Sequence, residues 1–167
     1  MEEMKLIIAG SRTFKYTRIN YRMMCQAVNK AVHMLEQLES DINFACKFTT
    51  IISGGAQGPD QMGAQWARDN NLEVEEYLPD WDANGRAAGM IRNKEMGLNA
   101  DWLLAIWDGE SKGTEHMINF MKDINKPVYI LMYSDEALAV EDNKKPAGSL
   151  YSNDGEIYVD RETILEV

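Results

Sequence analysis

The stretch Ile51-Ile52-Ser53-Gly54-Gly55-Ala56-Gln57-Gly58-Pro59-Asp60 restricts the fold more than any other part of the chain. A β-branched apolar run stops at a glycine pair, a third glycine follows three residues later, and a proline stands where a helix would begin. That order reads as a buried strand, a tight loop and a helix N-terminus. Such a junction presents unpaired backbone N–H groups at the positive end of a helix dipole. Glycine lets a ligand approach where a Cβ would hold it off. A second junction of this kind follows at Asp108-Gly109-Glu110-Ser111-Lys112-Gly113-Thr114. Two loops suited to phosphate in one short chain point to a nucleotide or a nucleotide-derived molecule.

The rest of the chain alternates in the same sense. Lys5–Gly10 is a short apolar run, read as strand one. Thr17–Glu39 carries apolar residues at helical spacing (Ile19, Met23, Ala27, Ala31, Leu35) with polar residues opposite. Phe48–Ser53 is strand two, and a helix runs from Pro59 to about Asn70. Leu72–Leu78 is strand three, residues 80–89 form a polar loop, and Ala88–Leu98 is a helix. Trp102–Trp107 is apolar throughout, as a strand covered on both faces is. A helix over Thr114–Ile124 and a fifth strand over Val128–Tyr133 complete the series. Strands alternating with helices imply a mainly parallel five-stranded sheet with helices on both faces. Ligands bind such sheets beyond the carboxyl ends of the strands, where strand order reverses. Residues 1–133 are read as one domain and 134–167 as an extension. Asn153-Asp154-Gly155 in that extension signals a small β-hairpin or flap.

Composition narrows the partners. The chain has 167 residues and a net charge of −10. That surface opposes long nucleic acids and anionic membranes, whose binding depends on Lys and Arg meeting phosphates. A local cluster of cations still serves a small anion, since distant charge is screened. The candidate loops hold Arg12, Arg86, Arg92, Lys94 and Lys112. No apolar run approaches the roughly 20 residues that span a bilayer. The acidic start is no signal peptide, and Cys25 and Cys46 lack metal-ligand spacing. A cytoplasmic protein with reduced thiols, no metal and no cofactor is expected.

Four segments together resemble the SLOG superfamily, which unites the DNA-processing protein DprA with the "lonely guy" phosphoribohydrolases, and within it the YspA-like branch. They are IAGSRTF at 8–14, SGGAQGPDQMGAQWA at 53–67, PDWDANGRAAGMIRNKEM at 79–96 and WDGESKGTEHMI at 107–118. The resemblance implies a Rossmann-like fold that binds a nucleotide, a nucleotide sugar or an ADP-ribose-like metabolite. Members are regarded as sensors of such ligands or as enzymes that cut an N-glycosidic bond, and they often self-associate. A homo-oligomer is therefore expected.

Candidate ligand-binding residues follow from loops and resemblance together. Gly10, Ser11 and Arg12 follow strand one, and Ser53, Gly54, Gly55 and Gly58 form the first glycine loop. Asp60 either complements the helix dipole or meets a ribose hydroxyl. Trp81 either stacks on a base or packs as an aromatic lid. Arg86 and Arg92 offer planar forks for phosphate, with Asn93 beside them. Asp108, Gly109, Ser111, Gly113 and Thr114 form the second loop, where Thr114 either contacts ligand or caps its helix. His33 and His116 read as surface residues.

One departure bears on catalysis. In the phosphoribohydrolases the second loop reads Pro-Gly-Gly-x-Gly-Thr-x-x-Glu, and the closing Glu supports glycosidic cleavage together with an Arg. The corresponding place here is Met117, whose thioether cannot stabilise a cation or activate water. Glu115 would point about 200° away from it on a helix. The sequence therefore favours a binding or sensing protein. A phosphoribohydrolase-like enzyme and a DprA-like nucleic-acid module are the alternatives.

Overall fold

A computed structural model describes residues 2–42 and 46–132. The proposed C-terminal hairpin, in the 134–167 extension, lies outside the described residues. Five strands, β1 (Glu2–Gly10), β2 (Cys46–Ser53), β3 (Glu73–Glu76), β4 (Trp102–Trp107) and β5 (Val128–Met132), form one sheet in the order β3-β2-β1-β4-β5. Every pairing is parallel. The chain builds outward from β1 through β2 to β3, then crosses to the other side for β4 and β5. Strand order therefore reverses between β1 and β4.

Both faces are covered, which is why β1 is apolar from Leu6 to Ala9. Leu6 and Ile8 join the core under α1 (Arg18–Ile42) and α2 (Pro59–Asp69). Ile7 and Ala9 point to the opposite core, with Met96 of α4 (Ala88–Asn99) and Met117, Ile118 and Met121 of α5 (Lys112–Asp123). The two-residue period of the strand sends neighbours to opposite faces. On α1 the fully buried residues are Met24, Ala27, Val28, Ala31 and Leu35, a helical stripe. Ile19, at the start of the expected stripe, is instead 57% exposed.

Beyond shifts of two or three residues at the starts of β1, β2 and α5, the structure departs from the sequence expectation around α1, β3 and the segment after it. The helix after β1 runs on to Ile42, past the expected end at Glu39. The third strand is only Glu73–Glu76. The polar loop after it contains a short helix, α3 (Trp81–Asn84), whose N-terminus is capped by Asp80 accepting from Ala83 N–H at 2.9 Å. A 3₁₀ turn over Gly85–Ala87 leads into α4. Every residue from 81 to 87 is exposed, so this region carries no apolar period to announce a helix.

Candidate functional site

At the reversal point, beyond the carboxyl ends of β1, β2 and β4, lies an open cleft of about 510 Å³. Its walls come from the loop after β1 (Gly10, Arg12, Thr13), the junction into α2 (Ala56, Asp60), α4 (Arg92, Asn93) and the loop and first turn of α5 (Asp108, Glu110, Ser111, Gly113, Thr114). Ala9 and Met117 complete the lining.

Local bonding holds these loops in register. Ser11 is fully buried and joins β1 to β4 twice: its N–H donates to the Ile106 carbonyl at 2.8 Å, and its Oγ accepts from Asp108 N–H at 3.1 Å. The turn continues to Phe14, whose N–H donates to the Ser11 carbonyl at 3.0 Å. Gly58 sits against the Phe14 carbonyl with φ of +90°, a place and a conformation that exclude a side chain. The loop after β1 thus rests on the loop after β2.

The second loop is organised by a carboxylate. Asp108 Oδ1 accepts from Glu110 N–H at 2.9 Å and Ser111 N–H at 2.7 Å, and Oδ2 accepts from Thr13 Oγ1 at 2.9 Å. Partial burial raises the Asp108 pKa, but these bonds and Ser11 more than offset it and hold the group below the usual carboxylate range. Ser111 precedes α5 without a side-chain cap, and its Oγ lies 3.2 Å from Thr114 Oγ1. Gly113 and Thr114 line the cleft in the first turn of α5, where backbone N–H groups have no partner within the helix.

The first loop is organised in the same way by Asp60. This residue is 4% exposed, and its Oδ2 accepts from Ala56 N–H at 3.4 Å. Gly55 N–H donates to Ser53 Oγ at 3.2 Å, and that hydroxyl donates to the Asp60 carbonyl at 3.0 Å. Burial raises the Asp60 carboxyl to about 6, although Arg92, the amides of Ala56 and Gly10, and Arg12 all favour its charged form.

Arg92 is half-buried and donates from Nη1 to the Gly54 carbonyl and from Nε to Asn93 Oδ1, the latter at 3.1 Å. Asn93 is buried and bridges α4 to α5. Its Nδ2 donates to the Gly113 carbonyl at 3.3 Å and lies 3.3 Å from His116 Nδ1. Because that amide nitrogen is a donor, His116 Nδ1 accepts. Burial and then Lys94 lower the His116 pKa, which keeps the ring neutral. His116 therefore supports Asn93, where the sequence suggested only a surface residue.

Of the expected ligand residues, Gly10, Arg12, Asp60, Arg92, Asn93, Asp108, Ser111, Gly113 and Thr114 come together on the cleft. Ser11, Ser53, Gly54, Gly55, Gly58 and Gly109 belong to the adjoining turns and are not among the lining residues. Trp81 and Arg86 are exposed in the α3 region and are not among the lining residues. Ala9, Thr13, Ala56, Glu110 and Met117 line the cleft without having been singled out for ligand contact. The signal for Thr13 was its place in the first matching segment. Met117 is 2% exposed, so the place of a closing carboxylate is filled by a buried thioether. Among the described residues no cluster of His, Cys, Asp and Glu is arranged to hold a metal ion. None of their helices is long and apolar enough to cross a membrane.

Residues 4–83 match the model of the YspA, cpYpsA-related SLOG family. The likeness to SLOG proteins and their YspA-like branch is thus borne out over that span. It includes the first two of the four segments and the start of the third. The Gene 61 protein of Mycobacterium phage D29 is similar, with 27% identity over 130 residues, covering 74% of this chain and 93% of that protein. Among solved structures, DNA processing protein A (DprA) from Streptococcus pneumoniae is similar in fold, with a TM-score of 0.53 and 14% identity. The match covers 77% of this chain and 50% of the DprA chain, so this protein spans half the length of that neighbour. The Rossmann-like α/β architecture is the same.

Proposed function

Starting from a chain whose residues 4–83 match the SLOG family, we propose that the cleft binds a nucleotide-derived small molecule. The protein would sense that ligand or sequester it. The observation that carries this reading is the placement of Arg12 and Arg92, from two separate elements, on the same cleft as the first turn of α5. Guanidinium forks and free helix amides are the two groups that best recognise a phosphate. A cleft of about 510 Å³ suits a ligand of mononucleotide size.

Binding without turnover is favoured over hydrolysis. A buried thioether at Met117 offers neither a base nor a counter-charge where the phosphoribohydrolases carry a carboxylate. The similarity to DprA motivates a nucleic-acid reading, but the net charge of −10 opposes it.

The test is to denature the purified protein and identify released metabolites by mass spectrometry, followed by calorimetric titration of the best candidates. A co-purified nucleotide-like compound that rebinds, and is recovered intact, supports the proposal. Release of free base or ribose phosphate would move the protein to the hydrolases. A gel shift with single-stranded DNA at physiological salt would favour the DprA-like reading; no shift is expected.

A further inference from the structure

One group in this cleft opposes the anion that the others attract. Asp60 lies on the cleft almost wholly buried, and it and the Arg92 guanidinium both approach Gly54. We propose that Asp60 makes the cleft selective for a ligand with a single anionic group at one end and hydrogen-bond donors, such as a vicinal diol, at the other; this rests on the small-molecule reading above. An anion held by Arg12 and the first turn of α5 leaves the remainder of the ligand facing a carboxylate. A second phosphate there would set like charges close together beside a carboxylate that is itself buried, where repulsion is strong. The loop after β2 cannot readily compensate. Its Gly55 and Ala56 amides, the donors that would cradle a second phosphate, already serve Ser53 Oγ and Asp60. Two hydroxyls, by contrast, match the acceptor pair of an ionised carboxylate.

The charges around Asp60 give the proposal a pH signature. Arg92 faces it from α4, Arg12 from the loop after β1, and the amides of Gly10 and Ala56 from the backbone. Asp108 and Glu110 are the other carboxylates on the cleft. An arriving anion favours the neutral form of Asp60, so binding of a second anionic group takes up a proton. Affinity for a diphosphate should therefore strengthen as pH falls toward about 6, the value to which burial raises this carboxyl in the free protein, and level off below it.

The experiment titrates the four nucleoside 5′-monophosphates and their diphosphates against the wild-type protein and Asp60→Asn at several pH values. Comparing the two proteins cancels the ligands' own titration. Wild type should bind the best monophosphate about tenfold more tightly than its diphosphate, equivalent to about 1.4 kcal/mol. Asp60→Asn should bring the two within about twofold by strengthening the diphosphate, and should lose the pH dependence that wild type adds. A wild-type preference for diphosphate, or a ratio that Asp60→Asn leaves unchanged, overturns the inference while the small-molecule reading stands. If wild type binds no mononucleotide, this inference falls, and the small-molecule reading is decided separately by the metabolites that the denatured protein releases. Should Asp60→Asn not fold, the wild type alone decides. The 2′,3′-dideoxy monophosphate should bind about tenfold more weakly than its parent, and equal affinity overturns the role of the diol.

Discussion

Asp60 and Arg92 converge on a single glycine. A Cβ on Gly54 would stand 2.7 Å from Asp60 Oδ2 and 2.8 Å from Arg92 Cζ. A carboxylate from α2 and a guanidinium from α4 thus reach the same stretch of backbone only because position 54 has no side chain. This contact couples the loop after β2 to α4.

Gly54→Ala should displace the guanidinium from the Gly54 carbonyl. We expect a loss of roughly 1–3 kcal/mol in stability, as for other overpacked sites, and at least a tenfold drop in mononucleotide affinity. Urea denaturation and calorimetry measure the two effects. Wild-type values for both would show that the approach of these groups has no energetic consequence.

Asp60 should impose a pH dependence on stability. Its folded-state pKa is raised from 3.8 to about 6, so the folded state holds a proton that the unfolded chain releases. Relative stability from this group is fully present below about pH 4 and is lost as pH rises to about 6, a total of ~3 kcal/mol. Asp60→Asn removes that loss, so its stability advantage over wild type should grow between pH 4 and pH 7. Asp108 acts in the opposite sense: its lowered pKa contributes stability above the ordinary carboxylate range that disappears in stronger acid. Urea midpoints at pH 4.5, 5.5 and 7 are the measurement. A difference between the two proteins that stays constant across this window would contradict the account.

The two arginines should separate by their effect on folding. Arg12 is exposed, so Arg12→Ala should weaken mononucleotide binding roughly tenfold or more, the worth of a charge-assisted hydrogen bond, and leave the melting temperature unchanged. Arg92→Ala should lose comparable affinity and also stability, because the Gly54 carbonyl and Asn93 Oδ1 lose their donor. Thermal melts beside calorimetry distinguish the cases. A fall in melting temperature for Arg12→Ala alone would reverse the assignment.

Trp81→Ala and Arg86→Ala should each keep mononucleotide affinity within about twofold and stability within about 0.5 kcal/mol, as for exposed residues outside special features. Fluorescence is a direct check on Trp81. Strong quenching of Trp81 by bound nucleotide, read in variants with the other tryptophans replaced, would bring α3 into the site.

The order of the elements was legible because β1, β2, β4 and β5 each hold an apolar run and α1, α2 and α5 each carry an apolar stripe. What escaped was short and polar. Residues 81–87 bury nothing, so only the Asp80 cap, a local side-chain bond, betrays α3. In the site, the glycines marked the turns correctly but could not say who takes their amides. Asp60 and Asp108 take several of them, through side chains four and two to three residues from the donors. The Asp-Gly pair at 108–109 is a known side-chain turn signal, whereas the burial of Asp60 depends on contacts from β1 and α4 that no local window contains. The bridging role of Asn93 likewise needs two helices to be packed side by side.

Since the cleft opens where the sheet changes direction, its chemistry is separable from its scaffold. Arg12 and Glu110 are exposed on their loops, while the buried Ser11 beside Arg12 in the chain pins the strands together. Ligand preference can drift by substitution on those loops, and the architecture beneath carries almost none of the consequence.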